Sequence, residues 1–425
     1  MPQEEPVTDC DVLILGGSMA GIELVHHLRR SPAGRGLRIV VIDRQATHGY
    51  IPLAHERLCL RLPMSKSELA TAQEVENAGY RYVLGDVVGM DVPTKTVELA
   101  SGERVSGRFV VVALGSALAA PQRLPGREHL LGYKFASEFD EAHAYLVALL
   151  DGSQARIPRA NGRRGQSHGT GTVGEPRLMV IGGGISGVEL AGELAHLARV
   201  RPPGWLAPAV TLIHSGTRLL PNLSERAGRR AEHLLREQHV DVLLRTRAVQ
   251  VERAAVTVDG PHGAKEIPCD GTYWAGGLQP ADVFADLDLP RTPTGWLSVG
   301  LTFQCFPAPS SHPDIFAFGD AVRVVDGTSE WPTVQRASEC SPQAKVVARN
   351  IMLLAAEPPN YPNGIPPLES YRLHVDAPYG VNLGGAALLV IGRLVLNAPR
   401  FNTWVRRSLV MPWYLRRHRV RWRQY

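Results

Sequence analysis

The feature that most constrains this chain is a repeat. "DVLILGGSMAGIELVHHL" from Asp11 and "RLMVIGGGISGVELAGEL" from Arg177 follow one plan. Each is a short apolar run, a glycine-rich turn and then apolar residues at helical spacing; in the second copy Val188, Ala191, Leu194 and Ala198 share one face. Both copies predict strand, tight turn, helix. The first glycine (Gly16, Gly182) permits the tight turn. The second position (Ser18, Gly184) lets backbone approach a pyrophosphate, and the third (Gly21, Gly187) lets the helix pack close to the strand. The helix N-terminus then offers free N–H groups and a partial positive charge to phosphates. A single turn of this kind is weak evidence, and a pair is much stronger.

Each copy is followed by a second apolar strand, "RIVVID" and "VTLIHS". Asp43 lies 22 residues beyond Gly21, where a carboxylate accepts hydrogen bonds from ribose hydroxyls. At the same strand end in the second copy stand His214 and Ser215, with Arg218 close by. No carboxylate is there to repel a 2′-phosphate, so a nucleotide that carries one is not turned away from the second copy. "RFVVVALGSALAAP" and "GTYWAGGLQP" are further strands, ending in glycine turns at Gly115 and at Gly276–Gly277. "HPDIFAFGDAVRV" predicts a strand ending at Gly319–Asp320 and then a helix. Asp320 would either bond a sugar-alcohol chain or cap that helix.

A chain of 425 residues, 44% hydrophobic, is expected to split into two or three domains. The acidic start "MPQEEPVTDC" has no signal-peptide character, which predicts a cytoplasmic protein. The most apolar stretch, "GGAALLVIGRLVL", is shorter than a membrane span and is broken by Arg393. Five scattered cysteines, odd in number and without a C-x-x-C, argue against a disulfide framework, a zinc site or a dithiol redox centre, and predict buried thiols; no metal is expected. The net charge of +5 is uneven: residues 400–425 carry eight arginines and no acid. Trp404, Trp413, Tyr414 and Trp422 alternate with those arginines, a composition suited to an anionic membrane surface. The same charge would also suit nucleic acid or an acidic partner, of which nucleic acid is not favoured. Residues 151–176, rich in Gly, Arg and Ser, read as a surface insertion.

In order along the chain, "GGSMAG", "IDR" with Asp43, "HGYIPL", "ALGS", "GGGISGVELAGEL", "WAGG" and "FAFGDA" resemble the flavoproteins with two dinucleotide-binding domains. Among these the chain is most similar to type II NADH:quinone dehydrogenases and to ferroptosis-suppressor and apoptosis-inducing-factor-like reductases. The resemblance covers roughly residues 10–400 and implies an α/β fold of two Rossmann-like domains, the nicotinamide domain inserted into the FAD domain. The expected parts are 1–125 and 291–365 for FAD, 126–290 for NAD(P)H, and a C-terminal region, 366–425.

The resemblance implies that Gly16, Gly17, Ser18, Ala20, Gly21, Asp43 and Arg44 hold the adenosine end of FAD, with Asp320 beside Gly319 on the ribityl chain. His48, Tyr50, Pro52 and Leu53 resemble the H-x-F-x-P-L segment beside the flavin, and Ala113 and Gly115 belong to the same cofactor set. Gly182, Gly184, Ile185, Gly187, His214, Ser215, Arg218, Gly276 and Gly277 are the expected nicotinamide-nucleotide contacts. Glu189 matches an acid near the nicotinamide–flavin junction; a first-turn glutamate exposed to solvent is the alternative. Gln335 lies in register with a P-x-T-A-Q segment at the quinone end.

Hydride transfer of this kind needs no protein nucleophile, consistent with a sequence lacking an evident acid–base dyad. Sulfide chemistry is disfavoured, because Cys340 has no cysteine partner between Cys59 and Cys269. The expected activity is electron transfer from NAD(P)H through FAD to a quinone or similar small acceptor. The C-terminal tail would make peripheral contact with the cytoplasmic face of the membrane, and a homodimer is left open. The alternatives are a ferredoxin or rubredoxin reductase, or a flavin-binding sensor associated with nucleic acid.

Overall fold

The computed structural model describes residues 8–51, 54–59, 68–119, 124–132, 136–153, 174–307, 310–326, 329–332, 339–356, 366–372, 379–397, 401 and 404. The chain divides into two compact units. One comprises 1–48, 68–117 and 278–375; the other comprises 49–67, 118–277 and 376–425. Each repeat of the glycine turn lies in its own unit.

The first unit is built on a seven-stranded sheet. Its parallel part runs Arg81–Leu84, Ile39–Asp43, Thr8–Leu15, Arg104–Val112, with Ile315–Ala317 paired to the last of these. Val12 to Leu15, Val110 to Val112 and Ile315 to Ala317 are buried on both faces, the unbroken apolar pattern of a covered parallel sheet. The helix Met19–Arg30 leaves the first turn, buries Ile22, Leu24, Val25 and Leu28, and places His27, Arg29 and Arg30 in its last turn. Positive charge there suits the negative helix end, and Pro32 cannot continue the helix. That helix packs against Cys340–Ala355.

The segment after Gly319 departs from expectation. A single 3-10 turn, Gly319–Ala321, leads into a strand, Val322–Asp326, and not into a helix. Val322 and Val324 are buried while Arg323 turns outward, a period of two that fits a strand paired in parallel with Leu297–Val299. The helix-capping reading of Asp320 falls with the helix.

The second unit carries a five-stranded parallel sheet in the order Leu130–Leu131, Gly271–Trp274, Arg177–Ile181, Ala209–His214, Asp241–Leu244. The helix Ile185–Val200 buries Val188, Ala191 and Leu194 fully, and Ala198 partly. Val188, Ala191 and Leu194 join one apolar core with Leu146, Leu212, Tyr273 and Leu383; burying each valine or leucine side chain contributes roughly 1.5–3 kcal/mol. Two antiparallel three-stranded sheets complete the unit: Arg247–Val251 with Ala255–Gly260 and Gly263–Pro268, and Tyr379–Leu383 with Ala386–Ile391 and Leu394–Asn397. All five cysteines are buried thiols outside any disulfide. No described helix is long and apolar enough to cross a membrane.

Candidate functional site

The two glycine turns are built alike down to single hydrogen bonds. In the first, Gly16 N–H donates to Ile42 O (2.7 Å) and Ala113 N–H to Leu15 O (2.7 Å). In the second, Gly182 N–H donates to Ile213 O (2.9 Å) and Ala275 N–H to Ile181 O (2.8 Å). Both first glycines have positive φ, +104° and +122°. A Cβ at Gly16 or Gly182 would strike the carbonyl of Ala113 or Ala275. A Cβ at Gly21 or Gly187 would strike the carbonyl of Gly16 or Gly182, so each third glycine is what lets its helix sit on the turn. Gly115 and Gly277 are a matching pair beyond the next strand, both at positive φ with open space where a side chain would stand. Gly184 likewise faces open space at the start of its helix, a surface that a pyrophosphate could approach. The side chain at the matching position, Ser18, is half-buried and makes no capping hydrogen bond.

The strand-end residues take the same place in the two units with different chemistry. Gly17 N–H donates to Asp43 Oδ2 (2.7 Å), and Gln45 N–H to Asp43 Oδ1 (2.9 Å). Burial raises the Asp43 carboxyl above its ordinary value of 3.8, while these two N–H groups and Arg44 pull it down. Arg44 is itself exposed and pairs with Asp86 at 3.6 Å. In the second unit Gly183 N–H donates to His214 Nδ1 (3.1 Å). Burial lowers the His214 imidazole below 6.5, partly offset by its hydrogen bond to the Arg218 backbone. His214 is therefore a neutral ring tying the turn to the following loop. It fits between Gly183 and Gly216, where a Cβ on either would collide with it. Ser215 is exposed. The Arg218 guanidinium turns back on its own loop, donating to the carbonyls of Leu220, Leu223 and Pro221 at 2.9, 3.1 and 2.7 Å.

In the first unit Gly319 (φ +76°) lies against Ala20, where a Cβ on it would come within 3.1 Å of the Ala20 methyl, and its N–H donates to Gln343 Oε1 (2.9 Å). Asp320 is half-buried beside it. Gln343, buried in the helix that starts at Cys340, therefore fixes the Gly319 turn. Sequence spacing alone gave it no role; the signal was a second glutamine eight positions after Gln335. His48 is buried, with Nδ1 hydrogen-bonded to Thr71 Oγ1. Thr71 and Tyr82 also line the approach to Gly17, and Tyr82 donates to Gln45 O. Burial, with the charges of Asp320, Glu23 and Glu339, holds the Cys340 thiol well above its ordinary range. Pro52, Leu53, Gln335 and residues 405–425 of the tail lie outside the described residues.

Glu189 is not the exposed first-turn glutamate of the alternative reading. Its Oε1 accepts the Asn382 N–H (3.0 Å), and its Oε2 lies 3.6 Å from His55 Nδ1. Behind it His55, Glu56 and Glu193 form a buried group whose ligand-type atoms fall within 4.8 Å of one another. Asn382 Nδ2 donates to Glu193 Oε1 at 2.8 Å, with Glu56 Oε1 and His55 Nε2 at 3.3 and 3.4 Å.

Comparison with known proteins gives consistent relatives. Residues 10–344 match the family described as pyridine nucleotide-disulphide oxidoreductase. The type II NADH:quinone oxidoreductase of Haemophilus influenzae is 27% identical over 82% of this chain and 81% of its own length. The demethylphylloquinone reductase of Synechocystis sp. is 24% identical over 92% of each chain. Among solved structures, NDH2 from Plasmodium falciparum in complex with NADH aligns with a TM-score of 0.77 at 12% identity, covering 96% of both chains. The sulfide:quinone oxidoreductase of Aquifex aeolicus aligns at 0.74 and 17% identity, covering 97% of this chain and 92% of its own.

Proposed function

The chain belongs to the pyridine nucleotide-disulphide oxidoreductase family, and we propose that it is an FAD-dependent NAD(P)H oxidoreductase delivering electrons to a quinone or similar small acceptor. The observation that carries this reading is the duplication: two turns with the same hydrogen bonds, each glycine-lined and each opening a helix. Relatives named as quinone oxidoreductases or reductases point to the acceptor class. In this reading residues 1–125 and 291–365 make the flavin domain and 126–290 the nicotinamide domain.

The residues present fit the cofactors. Gly16, Gly21 and the start of Met19–Arg30 would receive the FAD pyrophosphate, Asp43 would take ribose hydroxyls, and Asp320 the ribityl chain. Gly182, Gly184 and Gly187 would receive the nicotinamide nucleotide. When bound, a flavin supplies two-electron storage: hydride in from the reduced nicotinamide, electrons out to the acceptor. The protein contributes orientation and a dry, shaped cradle. Gln335 is proposed at the acceptor end by position in sequence.

NADPH is proposed as a substrate alongside NADH. His214 is neutral and already bonded, so it neither repels a 2′-phosphate nor attracts it. Arg218 is held by three carbonyls, and exposed Ser215 offers a hydroxyl donor at that edge. Steady-state kinetics that favoured NADH by more than about a hundredfold, ~3 kcal/mol, would contradict this.

Sulfide as donor is disfavoured because buried Cys340 has no cysteine partner between Cys59 and Cys269. Peripheral membrane attachment is proposed through the tail. Exposed Ile391, Leu394 and Leu396, with the stacked pair Phe401–Trp404 at 6.2 Å, extend the same apolar character. Sedimentation with anionic liposomes, with and without residues 400–425, tests it; unchanged binding sinks the anchor.

The main test is spectroscopic. Purified protein should carry flavin that mass spectrometry identifies as FAD, bleach anaerobically with NAD(P)H and reoxidise with a short-chain quinone. Failure to bleach overturns the reading. Reoxidation only by an iron–sulfur protein moves the acceptor to that class.

A further inference from the structure

The buried polar group behind Glu189 belongs to none of the nucleotide contacts. It is assembled from three places far apart in sequence: His55 and Glu56 on the short helix Ala54–Leu58, Glu193 on Ile185–Val200 one turn after Glu189, and Asn382 on the strand Tyr379–Leu383. Glu56 is 2% exposed, Glu193 0% and His55 3%. Carboxylates at that depth are retained at a cost in desolvation unless they are hydrogen-bonded or compensated. The Asn382 amide serves the group directly, with its side-chain nitrogen toward Glu193 and its backbone N–H on Glu189.

His55 is the element with two faces. One ring nitrogen, Nδ1, points at Glu189 Oε2 (3.6 Å); the other, Nε2, points into the Glu56–Glu193–Asn382 group. An imidazole placed this way accepts a proton on one nitrogen while releasing one from the other. Glu189 stands on the helix that opens at the second glycine turn, five residues past Gly184. Of the other titratable groups nearby, the Arg57 guanidinium lies 3.5 Å from Asp140 and stacks on Phe139, and His143 Nδ1 contacts Leu58 O at 3.1 Å.

We propose that His55 relays protons between Glu189 and the buried Glu56–Glu193 pair. This rests on the oxidoreductase reading above and deepens it. Reduction of a quinone to a quinol adds two electrons and two protons; reduced nicotinamide supplies the electron pair with one proton as hydride, and solvent supplies the other proton. The relay moves that second proton: Nδ1–H passes it to the Glu189 carboxylate, which gives it up to the reduced acceptor, while Nε2 takes a proton from the Glu56–Glu193 side and solvent restores the proton given up there. No electron passes through these residues. His55 acts through Glu189 and is a positioning and relay residue.

The test uses the purified full chain with its flavin. In His55→Gln, anaerobic bleaching by NAD(P)H should stay within about twofold of wild type, because hydride transfer needs no proton from this group. Quinone turnover should fall by about tenfold or more, with an enlarged solvent deuterium isotope effect. A second readout does not use activity: nitrogen-15 NMR of the histidine rings should show the His55 signals moving in both Glu189→Gln and Glu193→Gln. If His55→Gln does not fold, Glu193→Gln keeps an acceptor for Asn382, and the same turnover and isotope results are expected of it. Unchanged turnover and isotope effect in the folded variants, or His55 signals blind to either glutamate, overturn the relay. Wild-type protein that does not bleach or reduce a quinone overturns the oxidoreductase reading instead, a result visible before any variant is made.

Discussion

The two glycine turns share a backbone and differ in the residue that closes them. Gly17 and Gly183 each donate an N–H to the end of the neighbouring strand, to a carboxylate in one unit and to a neutral imidazole in the other. A turn of this form therefore fixes where a pyrophosphate can lie without fixing which nucleotide is chosen. Asp43 receives two backbone N–H groups and still has lone pairs for hydroxyl donors. Both nitrogens of His214 are used, so choice in the second cradle passes to the exposed residues after it. Under the proposed function, the first unit would hold a single nucleotide tightly and the second would accept two forms of a nucleotide that comes and goes.

The largest asymmetry should appear on removing the strand-end residue. Asp43→Ala leaves two N–H groups without their acceptor, about 1–3 kcal/mol for each buried one, besides the ribose contact. FAD content in the purified protein should fall by about tenfold or more, whereas His214→Ala should keep its flavin. Equal flavin loss in both variants would break the comparison. A smaller effect is expected on giving the second cradle the chemistry of the first. With His214→Asp, kcat/KM for NADPH relative to NADH should drop by about tenfold, ~1.4 kcal/mol, through repulsion of the 2′-phosphate. An unchanged ratio would place nucleotide choice elsewhere.

The smallest effect concerns pH. The folded-state value of His214 lies below its ordinary 6.5. Its contribution to stability is thus complete above 6.5 and is lost as pH falls through the lower, folded-state value. Thermal unfolding of the second unit should weaken over that acid window in wild type, and less in His214→Asn. Asp43 has the opposite sign: its raised carboxyl adds stability below 3.8 that is lost as pH rises through the folded-state value. At neutral pH the first cradle therefore holds a carboxylate that ligand hydroxyls would stabilise. An acid-window loss that persists unchanged in His214→Asn would assign it to other groups.

The local geometry of the cradles was readable in the sequence because every requirement in them is short-range. A strand, a left-handed glycine and a helix packed on that glycine need fixed spacing, so Gly16, Gly21, Gly182 and Gly187 announce themselves. Asp43 and His214 follow for the same reason, each closing a strand that pairs in register with its neighbour. The group around His55 was not readable. Residues 55, 56, 193 and 382 meet only through packing of two helices and a strand, and single buried acids carry no periodic signal. The strand after Gly319 departs from the sequence expectation because a glycine–aspartate turn resembles a helix start; the alternation of buried Val322 and Val324 with partly exposed Arg323 is the better cue. Arg218 shows a further limit, since proximity in sequence did not foretell that its guanidinium would be taken up by loop carbonyls.

The division of labour between the cradles is tested most directly by adding one methyl group to each in turn. A Cβ at Gly21 or Gly187 meets the same obstacle, the carbonyl of the turn's first glycine, at about 1–3 kcal/mol of overpacking. Flavin absorbance and anaerobic bleaching by NADPH would be measured on both variants. Gly187→Ala should be as yellow as wild type and bleach only at far higher NADPH, while Gly21→Ala should lose its flavin. Flavin lost from Gly187→Ala, or bleaching by NADPH as readily as in wild type, would contradict the account.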